Sequence, residues 1–191
     1  MQGLIKVILN LFSRKFLIKI SLILKPFFEL IFRGNRFVDP INNKSYSYFF
    51  PYGYNKLRKN ALSPGTLSLE RHRLLWIFLE KETDFFNTEN KILHIAPEQC
   101  FYKSFKKNFE SYTTCDLNSP IAEIKADVCN LPFDENEFDF VLCNHVLEHV
   151  YDDERAMKEI YRVLKHEGKA ILQVPLDNAL EKTIDGRDIS D

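Results

Sequence analysis

The feature that most constrains the fold is an alternation of short apolar strands with amphipathic helices that begins at residue 91. The pattern predicts strands at 91–96, 112–116, 124–128, 138–144 and 169–174, and helices at 101–109 and 153–164. Strands that alternate with helices are typical of parallel βαβ units, in which each helix crosses over the sheet. We therefore predict an α/β, doubly wound, mostly parallel sheet with helices on both faces.

The ends of two predicted helices carry recognisable signals. Acidic residues at 152–154 precede the second helix of the alternating region and basic residues at 165–166 follow it, as the helix dipole favours. Gly168 then fits the turn that closes this helix. Further upstream, Ser68 is predicted to cap a helix that contains residues 70–79.

Ligands of doubly wound sheets bind beyond the carboxyl ends of the strands. Those positions hold Ala96-Pro97-Glu98, Asp116, Asp127 and Asn144-His145. Asp116 ends the second strand, 20 residues after Ala96, where a carboxylate can accept both ribose hydroxyls of a nucleoside cofactor. The alternative is that Asp116 only forms a turn. The six glycines are too widely spaced for a G-x-G-x-x-G fingerprint.

Four segments together resemble one known family. They are 93–98 (LHIAPE), 116–120 (DLNSP), 125–133 (KADVCNLPF) and 138–150 (FDFVLCNHVLEHV). The combination resembles class I S-adenosylmethionine-dependent methyltransferases, and most of all the branch named methyltransferase type 11, over roughly residues 60 to 176. The resemblance implies a Rossmann-like fold, S-adenosylmethionine as cofactor and transfer of a methyl group to an acceptor.

The resemblance also implies a role for individual positions. Asp116 corresponds to the acid that binds the ribose, and Asp127 to the acid that meets the adenine amine. His145 lies nearest the expected methyl group, and histidine is suited to act as a general base near neutral pH. The implied catalytic residue is His145, and the implied cofactor-binding residues are His94, Ala96, Pro97, Glu98, Asp116, Leu117, Asp127, Val128 and Asn144.

The loop after the first strand departs from the family pattern. Its acid is replaced by His94, and its three glycines by Ala96, Glu98 and Cys100. Glycine lets the backbone approach a cofactor closely, and an alternative role for Glu98 is to meet the ammonium group of that cofactor. Two functions therefore stay open: an active methyltransferase, or a degenerate, non-catalytic methyltransferase-like protein that binds a partner or a membrane.

A competing motif overlaps the end of the fourth strand. Residues 145–149 read H-x-x-E-H, the inverted zinc-protease pattern, in which two histidines on a helix hold one metal. The run directly follows a buried strand, and the methyltransferase interpretation accounts for each of its positions. We therefore predict no metal site here.

The first 37 residues are apolar and basic. They contain seven basic residues and one acidic residue, a charge of +6, so the remainder of the chain carries −7. We predict an amphipathic helical extension over 1–34, which Pro26 breaks or kinks into two segments. One interpretation is peripheral contact with an anionic membrane, and the other is packing against the domain or a protein partner.

The polar, turn-rich segment 35–67 predicts a small irregular subdomain. It resembles a two-knuckle zinc module found in some bacterial relatives of the same family. The four knuckle positions hold Asp39, Asn42, Ser63 and Thr66, none of which is a thiolate ligand. We expect the module to persist as a metal-free fold, followed by an incomplete methyltransferase domain at 68–176.

Residues 177–191 read as a polar tail. The last two strands of the family fold do not fit in it, so we expect a sheet that lacks its last strand pair.

Composition narrows the expected partners and compartment. With 26 basic and 27 acidic residues the formal charge is −1, so nucleic acid is not expected as a partner. The four cysteines form no C-x-x-C pair, which favours buried thiols in a reducing, cytoplasmic setting, with a membrane-peripheral location as the alternative. The expected methyl acceptor is a small molecule or a lipid-linked compound.

Overall fold

The computed structural model describes residues 14–53 and 56–176. The chain divides into two compact units, Met1–Thr83 and Asp84–Asp191. The predicted tail at 177–191 and the first 13 residues lie outside the described part. The predicted start of the methyltransferase domain at residue 68 stays a prediction.

The described residues of the N-terminal unit form two helices and two hairpins. Its elements are α1 (Arg14–Ile31), β1 (Arg33–Asp39), β2 (Lys44–Tyr46), β3 (Phe50–Tyr52), β4 (Arg58–Leu62) and α2 (Glu70–Glu82). Strand β1 pairs antiparallel with β2, and β3 pairs antiparallel with β4. The polar, turn-rich segment therefore forms two small hairpins.

Pro26 lies inside α1, which is one continuous helix, so the prediction that proline breaks it into two is wrong, whereas the predicted kink stays a prediction. A proline removes one backbone hydrogen bond and crowds the preceding turn, and a helix can continue past it when its other contacts compensate. Among the described residues no helix is long and apolar enough to cross a membrane.

Asp39 is the centre of a buried polar cluster between the hairpins. Its Oδ2 accepts hydrogen bonds from the hydroxyls of Thr66 at 2.5 Å and Ser68 at 3.4 Å, and its Oδ1 accepts from the backbone N–H of Ile41. Ser63 Oγ accepts from the backbone N–H groups of residues 65 and 66. Three of the four predicted knuckle positions thus converge, and their oxygen atoms pair with backbone groups and with one another.

The start of α2 differs from the prediction. Leu69 is the residue that precedes the helix, and its backbone N–H donates to His72 Nδ1 at 3.1 Å. Ser68 does not cap the helix, because its hydroxyl is buried in the Asp39 cluster instead.

The C-terminal unit is an α/β layer structure built on one parallel sheet. Its elements are β5 (Ile92–Ile95), α3 (Gln99–Asn108), β6 (Tyr112–Asp116), β7 (Ile124–Lys125), β8 (Phe138–Asn144), a 3₁₀ turn (Leu147–His149), α4 (Asp153–Val163) and β9 (Leu164–Gln173). The strand order is β7-β6-β5-β8-β9, and every neighbouring pair is parallel. The predicted alternation and the parallel sheet are confirmed.

Helices α3 and α4 cover opposite faces of this sheet, because alternate strand residues point to opposite sides. On one face Phe105 of α3 lies 6.1 Å from His94, and Phe85 lies 5.1 Å from Phe140, between ring centroids. On the other face the apolar side of α4, with Ile160 at its centre, packs in one cluster with Leu93, Ile95, Val141 and Cys143. The central strands are therefore buried on both sides.

Gly168 lies inside β9 and not in a turn after α4, so its predicted role is wrong. Leu164 follows the helix directly in an extended conformation, and the pairing with β8 slips between Leu164 and Lys169. A Cβ on Gly168 would come within 3.0 Å of the carbonyl oxygens of Lys165 and Phe138. Glycine is needed here for the close approach of two backbones at a bulge.

Candidate functional site

The carboxyl ends of the central strands lie side by side. Ile95 on β5 is in register with Cys115 on β6 and with Cys143 on β8, so the next residues, Ala96, Asp116 and Asn144, follow at the same edge of the sheet. The chain runs from β5 towards β7 in one direction and from β8 to β9 in the other. The reversal opens a crevice between β5 and β8, the usual ligand position in such sheets.

Two residues with left-handed backbone conformations flank this crevice. Ala96 follows β5 with φ 52° and His145 follows β8 with φ 55°. The N–H of Ala96 donates to Cys115 O at 2.9 Å, and the N–H of His145 donates to Gln173 O at 2.8 Å. A side chain at positive φ costs free energy, and such strain is concentrated at functional sites. Ala96 occupies a family glycine position, where a positive φ is easily adopted.

His94 connects the strands beneath the crevice through hydrogen bonds. It is fully buried, and its Nδ1 lies 2.8 Å from Tyr112 Oη while its Nε2 lies 2.6 Å from Glu98 Oε2. Glu98 Oε1 in turn accepts from Asn144 Nδ2 at 3.2 Å. Burial raises the pKa of the Tyr112 hydroxyl, which therefore stays protonated. Four residues from β5, β6, β8 and the intervening loop thus form one polar chain, the His94 chain.

Two buried oxygen atoms at this edge have no hydrogen-bond partner among the residues that the structure describes. They are Oδ1 of Asn144, whose side chain is 4% exposed, and Oε2 of Glu148. A buried acceptor without a donor costs roughly 1 to 3 kcal/mol, so such atoms are rare unless a ligand or water supplies the donor. The crevice is therefore rich in acceptors and suits a ligand that carries N–H donors.

Asp116 and Leu117 lie at the end of β6. Asp116 Oδ1 accepts from the backbone N–H groups of Asn118, at 2.6 Å, and Ser119, which shapes the loop. The predicted turn-forming role of Asp116 is therefore present. Leu117 is half exposed and offers an apolar surface beside it.

The remaining predicted positions are Asp127, Val128 and Pro97. Asp127 is exposed two residues beyond β7, and its Oδ1 accepts from the N–H of Cys129 at 2.9 Å. Val128 is buried in the core cluster on the α4 side. Pro97 is buried between Ala96 and Glu98. Hydrogen bonds join His94, Glu98 and Asn144 directly. Asp116 and Asp127 instead accept hydrogen bonds from backbone N–H groups of their own loops.

His145 stands at the end of β8 beside an acid. Its Nδ1 lies 3.3 Å from Glu148 Oε1, and its side chain is one-third exposed. The H-x-x-E-H run contains only a 3₁₀ turn at Leu147–His149, and Val150 is already extended. His145 and His149 therefore do not share the face of an α-helix, which the zinc-protease arrangement requires.

The sequence analysis did not identify two residues of this site. Tyr112 is the partner of His94, and Glu148 is the partner of His145. A buried histidine on a strand needs a polar partner, so the position of His94 indicated that a polar residue lies beside it. The identity of that partner depends on the strand register, which no local pattern gives.

Comparison with known proteins agrees with this geometry. Residues 90–172 match a family model described as a methyltransferase domain. The match and the parallel sheet make the C-terminal unit a class I S-adenosylmethionine-dependent methyltransferase domain. Within this class, residues 90–172 match the methyltransferase type 11 domain.

Matches to individual proteins are short. Over 60 residues the chain is 47% identical to an uncharacterised protein of Methanocaldococcus jannaschii. This match covers 31% of this chain and 26% of that protein. Over 52 residues it is 46% identical to the 2-phytyl-1,4-naphthoquinone methyltransferase of Nostoc punctiforme, covering 27% of this chain and 23% of that enzyme. The matched segments span about a quarter of these relatives. Among solved structures, the YcgJ protein from Bacillus subtilis is similar, with 22% identity, a TM-score of 0.46, and coverage of 54% of this chain and 50% of that one.

The residues at the crevice fit the cofactor that this family uses. The ammonium group of S-adenosylmethionine offers N–H donors, and the buried Asn144 Oδ1 is an acceptor without a donor. Glu98, which accepts from Asn144, adds a carboxylate next to it. A cation beside two acceptors, one of them charged, is a favourable arrangement.

Proposed function

We propose that the protein transfers a methyl group from S-adenosylmethionine to a small-molecule or lipid-linked acceptor. The observation that carries the proposal is the unpaired, buried Asn144 Oδ1 between two strained residues, Ala96 and His145, at the reversal of strand order. A polar ligand at this point would satisfy the acceptor and account for the strain.

Six of the nine predicted cofactor-binding residues take a direct part in holding the cofactor. Glu98 and Asn144 accept from its ammonium group, and Asp116 accepts from its ribose hydroxyls. Asp127 and the backbone of Val128 face its adenine, and Leu117 lends apolar surface. When bound, the cofactor supplies a methyl group that is already activated by its positive sulfur, so the protein contributes mainly orientation and the exclusion of water.

His145 is the proposed general base. Its side chain is partly exposed at the mouth of the crevice, and Glu148 Oε1 lies 3.3 Å from its Nδ1. With Nδ1 donating to Glu148, the ring would keep Nε2 free of a proton and ready to accept one from the methyl acceptor. Glu148 is then a positioning residue that selects this tautomer.

For the acceptor we propose a lipid-soluble quinol. Support comes from the relative in Nostoc punctiforme, whose name identifies a phytyl-naphthoquinone as its substrate. A quinol carries an acidic hydroxyl whose proton a base such as His145 can remove.

Isothermal titration calorimetry with S-adenosylmethionine tests the proposal on the full chain. We expect micromolar binding that weakens by about tenfold or more in Asp116→Ala, because the ribose contact is lost. Glu135→Gln, which changes another carboxylate of the same unit, is the matched control and keeps wild-type affinity.

Labelled methyl transfer to reduced 2-phytyl-1,4-naphthoquinone then tests the acceptor, and a His145→Gln variant should bind the cofactor but lose transfer. A folded wild-type chain that binds no cofactor overturns the proposal, and binding without transfer to this quinol overturns the acceptor class.

One observation favours the second candidate, a non-catalytic methyltransferase-like binding protein. Glu98 stands at a family glycine position, and its side chain bridges His94 and Asn144 across the crevice. If this side chain occupies the cofactor's place, the calorimetry will give no binding by a folded protein.

A further inference from the structure

Helix α1 presents an unbroken apolar stripe to solvent. The stripe residues recur at helical spacing and are between 37% and 72% exposed: Ile20, Ile23, Leu24, Phe27, Leu30 and Ile31, called here the α1 stripe. Positions separated by three and four residues lie on one side of a helix. Isolated exposed apolar residues are common, but a continuous stripe of large ones marks a surface for a partner.

The C-terminal end of α1 is anchored to its own unit on a different side. The ring of Phe28 packs edge to face on Phe50 with centroids 5.5 Å apart, and the ring of Phe32, just beyond the helix, packs on the same Phe50 at 4.9 Å. These contacts hold the helix against β3. The α1 stripe is therefore not the face by which the helix attaches to the hairpins.

Positive charge accompanies the stripe. Residues 1–37 contain seven basic residues and one acidic residue. That acid, Glu29, is paired with Lys44 at 2.6 Å, so its charge is compensated. Arg33 and Arg36 are exposed directly after the helix. None of the six stripe positions is charged.

We propose that α1 docks on the surface of an anionic bilayer. The α1 stripe would enter the boundary between headgroups and acyl chains, with the helix parallel to the surface, and the basic residues would meet lipid phosphates. A second copy of the chain is a poorer occupant, because two segments of charge +6 would face each other. The proposal goes beyond methyl transfer and does not depend on it.

Co-sedimentation of the full chain with vesicles tests the proposal. The vesicles are phosphatidylcholine with about 30 mol% phosphatidylglycerol, and pure phosphatidylcholine for comparison. We expect binding to the anionic vesicles, and at least about tenfold weaker partitioning for the triple variant Ile23→Gln, Phe27→Gln, Leu30→Gln. A second variant, Arg33→Gln with Arg36→Gln, should weaken binding to the anionic vesicles and leave the stripe intact.

The matched control replaces three equally exposed residues away from α1: Leu57→Gln, Leu74→Gln and Tyr161→Gln. It should bind vesicles like the wild type. Wild-type protein that stays in the supernatant overturns the proposal, as does a control that loses binding to the same extent. A wild-type dimer that the triple stripe variant dissociates, without vesicle binding, assigns the stripe to a second copy and also overturns it. None of these measurements needs the cofactor, so a failure of the proposed enzymatic function would be recognised separately.

Discussion

Single residues at the crevice depart from the family loop in two different ways. Ala96 takes over a glycine position with the smallest possible side chain and accepts a left-handed conformation. Glu98 takes over another glycine position with a long acidic side chain, which His94 and Asn144 hold in place. The first change keeps the loop geometry, whereas the second changes the chemistry of the site. Glu98 is therefore the residue whose substitution is most informative.

Glu98→Gln keeps the size and hydrogen-bonding reach of the side chain but removes its charge. We expect the dissociation constant for S-adenosylmethionine to rise about tenfold, because a charged acceptor for the ammonium group is lost. Calorimetry measures the change, with Glu110→Gln as a control at an exposed carboxylate that precedes β6. Tighter binding by Glu98→Gly than by the wild type would show that the side chain obstructs the cofactor instead of meeting it.

Among the elements, α4 does more than cover one face of the sheet. Glu159 Oε2 accepts from the backbone N–H of Leu131 at 2.9 Å, and Arg162 donates to the carbonyl oxygens of Leu131 and Phe133. Glu159 and Arg162 also pair with each other at 2.8 Å. This pair fastens the loop before β8 to the helix. The Arg162 guanidinium holds the pKa of Glu159 below its usual range.

We expect Glu159→Gln to lower the free energy of unfolding by about 1 kcal/mol at pH 7. Because the folded-state pKa of Glu159 is depressed, its contribution is complete above the unfolded pKa of about 4.3 and disappears as the pH falls through the folded value. The difference between variant and wild type should therefore shrink progressively as the pH falls below about 4.3. Urea unfolding at several pH values measures it.

Glu154→Gln on the same helix is the control. Its carboxylate is largely exposed and lies 4.0 Å from Lys158, so its removal should change the stability by less than about 0.5 kcal/mol. A Glu159→Gln difference that persisted unchanged at pH 3 would mean that the charge of Glu159 does not stabilise the loop.

For the whole molecule, local patterns were enough to predict the parallel sheet and the two helices that cover it. The buried run 138–144 and the apolar face of α4 are strong signals because burial on both sides of a strand requires continuous apolar residues. The route of β9 past Gly168 and the helix through Pro26 were not predictable, since both depend on contacts distant in sequence. The partners of His94 and His145 depend on register and loop geometry for the same reason.

Thiol accessibility tests this placement of the core in the C-terminal unit, which contains all four cysteines. Cys115 and Cys143 are at most 1% exposed, and burial raises the pKa of each to about 12. Cys100 and Cys129 are only partly buried. We expect Ellman's reagent to modify Cys100 and Cys129 in the native protein at pH 8, and all four cysteines after unfolding in guanidinium. Mass spectrometric detection of early labelling at Cys115 or Cys143 would contradict the described sheet.

The unpaired oxygen of Asn144 has a consequence for the lifetime of the protein in a cell. A buried acceptor without a donor lowers the stability of the folded protein. A ligand that supplies the donor binds the folded form and shifts the population towards it. Proteases act on the chains that are open at any moment, so a small change in that population alters abundance several-fold. We therefore expect the turnover of this protein to slow when its ligand is plentiful and to quicken when the supply falls.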